Sequence, residues 1–155
     1  MYLVQLIGDT SLNSVLPDDN FGYPWDWVYQ AKQAQPQLDK QAYPRYAQMV
    51  TADGLAQVAR YADAIGPWRE NLYAYAKAPL ASWFQHAKQL GLKVHPYTYR
   101  VETDFLQQQP NGQRIPLIDE LAWLFQQQVD GVFTDQPDVA IAVRQQCQTA
   151  QRIKN

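Results

Sequence analysis

Short apolar segments alternate with amphipathic stretches along the chain. Four segments predict buried strands, and three of them follow a stretch with helical spacing of apolar residues. Alternation of helix and strand is typical of βαβ units and a parallel sheet. The strands are continuous apolar runs, which favours a sheet with both faces covered. The four predicted strands are residues 2–7, 64–66, 93–99 and 132–134.

The helices are predicted from apolar positions three and four residues apart. The apolar positions are Leu55, Val58, Ala59 and Ala62 in the first helix, Leu80, Trp83, Phe84, Ala87 and Leu90 in the second, and Leu117, Leu121, Leu124 and Phe125 in the third. Thr51 or Asp53 is the expected N-cap of the first helix. Gly91 is expected to end the second helix in the left-handed conformation. Pro137 is expected to open a last helix.

Residues 8–50 form a long insertion after the first predicted strand. The insertion combines turn-forming residues with many aromatic residues and shows no helical period. Loops of this length without regular structure are commonly functional. We therefore weigh two interpretations equally: an ordered lid over the carboxyl end of the sheet, or a surface loop that packs its own aromatic cluster.

Composition excludes several classes of function. Of the 155 residues, 46% are hydrophobic and 18% charged, and the formal net charge is −2. This balance is that of one globular domain, without the basic surface that nucleic acid or anionic lipid requires. No apolar run is long enough to span a bilayer, and the first eight residues do not have the pattern of a signal peptide. They predict a strand at the very start, which leads us to expect further polypeptide before it.

Candidate chemistry gathers where the predicted strands end, because functional groups of parallel α/β folds lie at that edge. Arg100 can grip two oxygens of a phosphate or carboxylate, but an ion pair with Glu102 or Asp104 is an equally good interpretation. His95 is more consistent with a packed histidine than with an acid–base group. Asp135 can cap the following helix or take part in chemistry. The sequence has no spacing typical of a metal site, a phosphate loop or a nucleophile elbow.

Two segments carry a resemblance to a known family. Residues 93–100 read Lys-Val-His-Pro-Tyr-Thr-Tyr-Arg, and residues 129–138 read Val-Asp-Gly-Val-Phe-Thr-Asp-Gln-Pro-Asp. They resemble the seventh and eighth strands of the glycerophosphodiester phosphodiesterase family, most closely its larger periplasmic branch. Residues 3–7 and 59–67 are similar to its fifth strand and to its sixth strand with the helix before it. The likeness spans nearly the whole chain in the family's order.

The resemblance implies the C-terminal half, strands five to eight, of a (β/α)8 barrel. It also implies hydrolysis of glycerophosphodiesters to glycerol 3-phosphate and an alcohol, with a calcium or magnesium ion. The family's metal-binding and catalytic motifs lie in its first three strands and have no counterpart in this chain. We therefore expect a chain that binds substrate, carries neither catalytic nor metal-binding residues, and is inactive alone.

The resemblance places four substrate-binding residues at the strand ends. Tyr97 would pack on the glycerol or alcohol part, Arg100 would contact the phosphate, and Phe133 would shape the floor of the pocket. Trp68 follows the sixth strand, where Gly66 and Pro67 would leave room for the ligand.

Two other interpretations remain open at the level of sequence. One is a non-catalytic relic that binds glycerophosphodiesters or sugars, and the other is an open doubly wound α/β protein. For the half-barrel, the unpaired edge strands lead us to expect either a self-associated dimer or a poorly stable product, and the missing N-terminal half-barrel is the expected partner. The resemblance alone suggests a periplasmic or secreted location for the intact enzyme.

Overall fold

A computed structural model describes residues 1–11 and 22–154 of the chain. Its sheet has three parallel strands in the order β1, β2, β3. Val4 of the first strand pairs with Ala64 of the second, which pairs with Lys93 of the third. The strands are β1 (Val4–Ile7), β2 (Ala64–Pro67) and β3 (Lys93–Val94). Their sequential order is that of consecutive βαβ units.

The fourth predicted strand lies beside the third, but it pairs through fewer contacts than expected. The backbone N–H of Asp130 donates to the Val94 carbonyl at 3.2 Å, and that of Phe133 donates to the Pro96 carbonyl at 3.0 Å. Tyr99 and Thr134 form one parallel bridge. The prolines at positions 96 and 137 have no N–H and limit how far a regular ladder extends here. The prediction of residues 93–99 as one continuous strand is corrected to the two residues of β3.

Seven helices accompany the sheet in the described part of the chain. They are α1 (Trp25–Ala34), α2 (Tyr46–Met49), α3 (Ala52–Val58), α4 (Arg69–Leu72), α5 (Trp83–Gln89), α6 (Leu117–Gln126) and α7 (Pro137–Lys154). Single 3₁₀ turns span Lys40–Ala42 and Thr103–Phe105. The Thr51 side chain caps α3 by accepting from the Gly54 N–H at 3.1 Å. Gly91 has a φ of +81° just after α5, as the sequence predicts.

The hydrophobic core lies between one face of the sheet and the helices. Ile7, Ile65 and Val94 point to this face, and each is fully buried. The opposite face carries Leu6, which is 51% exposed, and Phe133, which is 40% exposed. The expectation that both faces are covered is confirmed for β2, whose four residues are all buried, and fails at Leu6 and Phe133.

The insertion at residues 8–50 contains regular structure, which corrects the prediction of a loop without helical period. Within it lie α1, α2 and a 3₁₀ turn, while residues 12–21 lie outside the described part. Helix α1 begins after Pro24 with no side-chain cap, so the usual N-terminal sequence pattern is missing. Its Trp27 ring N–H donates to the Tyr61 hydroxyl at 3.1 Å, and that hydroxyl donates to Gln5 at 2.9 Å. These bonds attach the insertion to the sheet.

The two ends of the insertion meet where β1 stops. A Cβ placed on Gly8 would lie 2.6 Å from the Tyr46 ring, so this contact requires glycine. The Asn71 side chain donates to the Gly8 carbonyl at 2.6 Å and accepts from the Thr10 N–H at 3.0 Å. The insertion also has an aromatic cluster of its own, formed by Tyr23, Trp25 and Tyr43 with ring centroids 5.5 to 6.3 Å apart.

Candidate functional site

A cleft of about 560 Å³ opens at the carboxyl ends of the strands. Side chains from three consecutive strand ends contribute to its wall, because parallel strands finish at the same edge of a sheet. The lining residues are Trp68, Arg69, Glu70, Tyr97, Thr98, Arg100, Phe105 and Asp135. Three of the four predicted substrate-binding residues therefore share one cleft.

The fourth predicted residue, Phe133, is not among the residues that line this cleft. Its ring lies on the open face of the sheet, where a Cβ on Gly66 would come within 3.2 Å of it. It also meets the His95 ring edge-on, with centroids 6.3 Å apart. His95 packs between Phe133 and Tyr2, and burial lowers the pKa of its imidazole. His95 is thus a packed side chain, the interpretation that the sequence favoured.

Trp68 and Tyr97 are held together by the sheet itself. They form a parallel bridge, with Trp68 directly after β2 and Tyr97 three residues after β3. The Tyr97 hydroxyl donates to the Ile7 carbonyl at 3.1 Å. Burial, with Tyr46 and Glu70 nearby, raises the pKa of Tyr97 to about 12. At neutral pH this phenol is therefore a hydrogen-bonding group and an apolar surface, and it does not act as a base.

Arg100 is paired with two carboxylates. Its Nη2 donates to Glu102 at 2.8 Å, and its Nε lies 3.0 Å from Oδ2 of Asp135 in an ionic contact that lacks hydrogen-bond alignment. The guanidinium also stacks on Phe105, 4.0 Å from the ring centroid. The ion pair with Glu102 is one of the two roles that the sequence left open for Arg100. Asp135, which the sequence offered as a helix cap, contacts this arginine.

A buried polar network behind the cleft was missed by the sequence analysis. Glu120 of α6 is fully buried, and its Oε1 accepts from the Tyr73 hydroxyl at 2.6 Å. The Tyr73 hydroxyl is 2.9 Å from that of Tyr99. Burial raises the pKa of Glu120 and of both phenols. The spacing held a clue, because Glu120 falls between Leu117 and Leu121 on the apolar stripe of its helix.

The described lining of the cleft includes two carboxylates. A hard divalent cation requires several oxygen ligands. The two carboxylates of the cleft, Glu70 and Asp135, each contact an arginine. Within residues 1–11 and 22–154, no three His, Cys, Asp or Glu side chains are placed to hold a metal ion. No helix of that part of the chain is long and apolar enough to cross a membrane.

Comparison with known proteins identifies relatives of this chain. The model of the glycerophosphoryl diester phosphodiesterase family matches residues 23–139. One curated relative is the glycerophosphodiester phosphodiesterase GDPD6 of Arabidopsis thaliana, which is 33% identical over 93 residues. That alignment covers 58% of this chain and 24% of the plant protein. The aligned region thus spans about a quarter of the length of the curated relative.

Proposed function

Because this chain belongs to the glycerophosphoryl diester phosphodiesterase family, we propose that it supplies the substrate-binding part of an enzyme of that activity. The enzyme would hydrolyse a glycerophosphodiester to glycerol 3-phosphate and an alcohol. The observation that supports this proposal is the cleft itself, which gathers Trp68, Tyr97 and Arg100 at the strand ends. Aromatic faces next to a guanidinium suit a ligand with both a carbon skeleton and an anionic group.

Each of these residues has a proposed role in substrate binding. Tyr97 and Trp68 pack on the glycerol or alcohol part, because they present ring surface at the cleft wall. Arg100 contacts the phosphate after exchanging a carboxylate partner for a phosphate oxygen. Its side chain is 34% exposed, so a ligand can reach it. Phe133 contributes from the neighbouring open face.

We further propose that the calcium or magnesium site of the enzyme is formed by polypeptide other than this chain. The carboxylates of the cleft are engaged by arginines, which leaves them poorly suited to a metal ion. The family has a TIM-barrel fold, and the open sheet face with Leu6 and Phe133 would line the interior of such a barrel. The proposed partner is therefore an N-terminal half-barrel, and self-association is the alternative. Family likeness is the basis for proposing a periplasmic or secreted location.

The experiment is reconstitution. The purified chain is assayed for release of glycerol 3-phosphate from glycerophosphocholine, alone and with a polypeptide carrying the first four βα units of a family barrel. Calcium or magnesium is present, and a chelator serves as the control. We expect hydrolysis only with both polypeptides and the metal ion. Robust metal-dependent hydrolysis by the chain alone would refute the division of roles.

Arg100 is tested in the reconstituted enzyme. Arg100→Ala should raise KM or lower kcat, because a phosphate contact is lost. Arg60→Ala is the matched control, since Arg60 precedes β2 and therefore lies near the amino ends of the strands, away from the cleft. Unchanged kinetics for Arg100→Ala would remove Arg100 from the site.

The second candidate is a non-catalytic module that binds glycerophosphodiesters or sugars. The aromatic cluster of the insertion favours it, because Trp25 is 44% exposed beside Tyr23 and Tyr43 and aromatic surface suits such ligands. Calorimetric binding of a glycerophosphodiester, lost in Trp25→Ala, without hydrolysis under any condition would support this function over the enzymatic one.

A further inference from the structure

Arg69 is fixed at the wall of the cleft by the sheet. It is the first residue of α4 and follows Trp68, the residue next to β2. Its backbone N–H donates to the Tyr97 carbonyl at 2.9 Å, a bond between neighbouring strand ends. The side chain is 11% exposed and lines the cleft. This guanidinium is therefore less exposed than that of Arg100 and is anchored through its own backbone.

The buried network lies directly behind Arg69. Nη1 of Arg69 is 3.9 Å from Oε2 of Glu120, and the guanidinium lies 5.9 Å from the centre of the Tyr99 ring. Oε1 of Glu120 is held by the Tyr73 hydroxyl, while Oε2 has no hydrogen-bond partner among the described residues. The carboxylate is thus oriented on one side and faces the arginine with its other oxygen.

A buried carboxylate is costly unless it is paired. Glu120 lies on the apolar stripe of α6, where a leucine or methionine would bury without that penalty. What the carboxylate provides is charge and direction: it draws the Arg69 guanidinium toward one orientation and limits its rotamers. Such support is what a binding residue needs in order to be preorganised.

Arg69 also keeps hydrogen-bonding capacity. Among the described residues, Nε of its guanidinium donates a hydrogen bond to Glu70 at 2.9 Å. A guanidinium carries five N–H donors in a planar fork that matches two oxygens of a phosphate. The Glu70 carboxylate is 33% exposed, so an incoming anion can replace it.

We propose that Arg69 binds a phosphate oxyanion in the cleft, and that Glu120 is the residue that positions it. The inference rests on the proposed function and deepens it, since it assigns the phosphate a second arginine. Glu70 is then a competitor for the same guanidinium. Removal of its charge should strengthen phosphate binding, an effect that a merely structural ion pair would not produce.

The test is titration of the full chain by calorimetry with sn-glycerol 3-phosphate, inorganic phosphate and glycerol as three separate probes. Arg69→Gln should weaken binding of both phosphate probes by about tenfold or more, the usual consequence of losing hydrogen bonds to a charged group. Glu70→Gln should tighten it by a few fold. Arg60→Gln, at the far edge of the sheet, should change it less than twofold. Glycerol binding should be the same in all four proteins.

Glu120→Gln tests the positioning role. Glutamine retains an acceptor for the Tyr73 hydroxyl but not the charge that faces Arg69. We expect a several-fold loss of phosphate affinity with no fall in the melting temperature. A purely structural role for Glu120 would lower the melting temperature instead. Circular dichroism verifies the fold of each variant. Arg69→Lys, which keeps the charge without the fork, should bind phosphate more weakly than wild type and more tightly than Arg69→Gln.

The inference is wrong if the wild-type chain binds neither phosphate probe, if Arg69→Gln binds as wild type does, or if Glu70→Gln weakens binding. It is distinguishable from the proposed function. Arg69-dependent phosphate binding by a chain that no partner activates would uphold the inference and count against the enzyme. Hydrolysis by the reconstituted enzyme, together with phosphate binding that Arg69→Gln does not change, would support the proposed function and contradict the inference about Arg69.

Discussion

Asp130 joins three elements of the fold and offers a sharp test of its energetics. Its Oδ2 accepts from the Val94 N–H of β3 at 2.9 Å and from the Lys88 ammonium of α5. Its Oδ1 lies 3.4 Å from the Lys93 ammonium. The side chain is 15% exposed, and its backbone N–H donates to the Val94 carbonyl. One carboxylate thus ties the start of the fourth strand segment to its neighbours.

The magnitude of the Asp130→Asn effect follows from these contacts. Asparagine still accepts from the Val94 N–H but loses the charge that pairs with Lys88. A hydrogen bond to a charged group contributes about 1.5–3 kcal/mol, against about 1 kcal/mol for a neutral one. The Lys93 side chain is 56% exposed, so that pair adds little. We expect Asp130→Asn to lower the free energy of unfolding by about 1.5–2 kcal/mol at pH 7.

The pH dependence has a definite sign. Burial raises the pKa of Asp130, but the bonds from Lys88 and from the Val94 N–H outweigh it, so the net pKa lies below its ordinary value. A group with a lowered pKa in the folded state stabilises the protein above its unfolded pKa, here about 4. That contribution is lost as the pH falls from about 4 through the lowered pKa. The difference between wild type and Asp130→Asn should shrink over the same interval.

The assay is urea unfolding followed by tryptophan fluorescence, at pH 7 and then in steps from pH 5 downward. Lys93→Gln is the matched control and should cost less than about 0.5 kcal/mol. The reasoning fails if Asp130→Asn is as stable as wild type at pH 7. It also fails if the difference does not decline at the acid end while wild type is still folded.

Three further substitutions test the packing and capping. Gly54→Ala should lower the free energy of unfolding by at least about 2 kcal/mol, because its Cβ would lie 1.9 Å from the Gln48 carbonyl oxygen; a circular dichroism melt that matches wild type would contradict this. Leu121→Ala should cost about 2–5 kcal/mol in urea unfolding, because the side chain is fully buried in the core, and a loss under 1 kcal/mol would count against the packing described. Thr51→Ala should cost about 1 kcal/mol through loss of the α3 cap, with Thr51→Ser as a control that retains it.

The helices that flank the sheet could be predicted because local chemistry and tertiary packing agree there. Thr51 caps α3 and Gly91 follows α5, as the sequence predicted for the ends of these two helices. Helix α1 could not be predicted, because it begins after Pro24 without a side-chain cap and buries mainly Trp27 and Val28. Its stability comes from contacts with distant parts of the chain, and these leave no periodic pattern.

The position of the cleft at the strand ends was predictable, but the contacts of its side chains were not. The rule that parallel strands end at one edge placed Trp68, Tyr97 and Arg100 together. The rule does not decide whether Arg100 binds an anion or forms an ion pair within the protein, because the answer depends on the position of Asp135, which follows a separate strand segment. Glu120 illustrates the same limit: a glutamate among leucines is anomalous, but its partners are Tyr73, 47 residues away just after α4, and Arg69, 51 residues away on α4.

The contact between Gly8 and Tyr46 bears on how this region can change in evolution. Because Gly8 and Tyr46 bring the two ends of the insertion together, a flexible stretch added between them should disturb the sheet little if the Trp27 bond to Tyr61 is kept. The entropy of closing a loop grows only with the logarithm of its length, about 0.6 kcal/mol for each doubling. Relatives should therefore differ most in residue number between these two positions, and a peptide tag inserted there should be tolerated as long as the glycine and the tyrosine are kept.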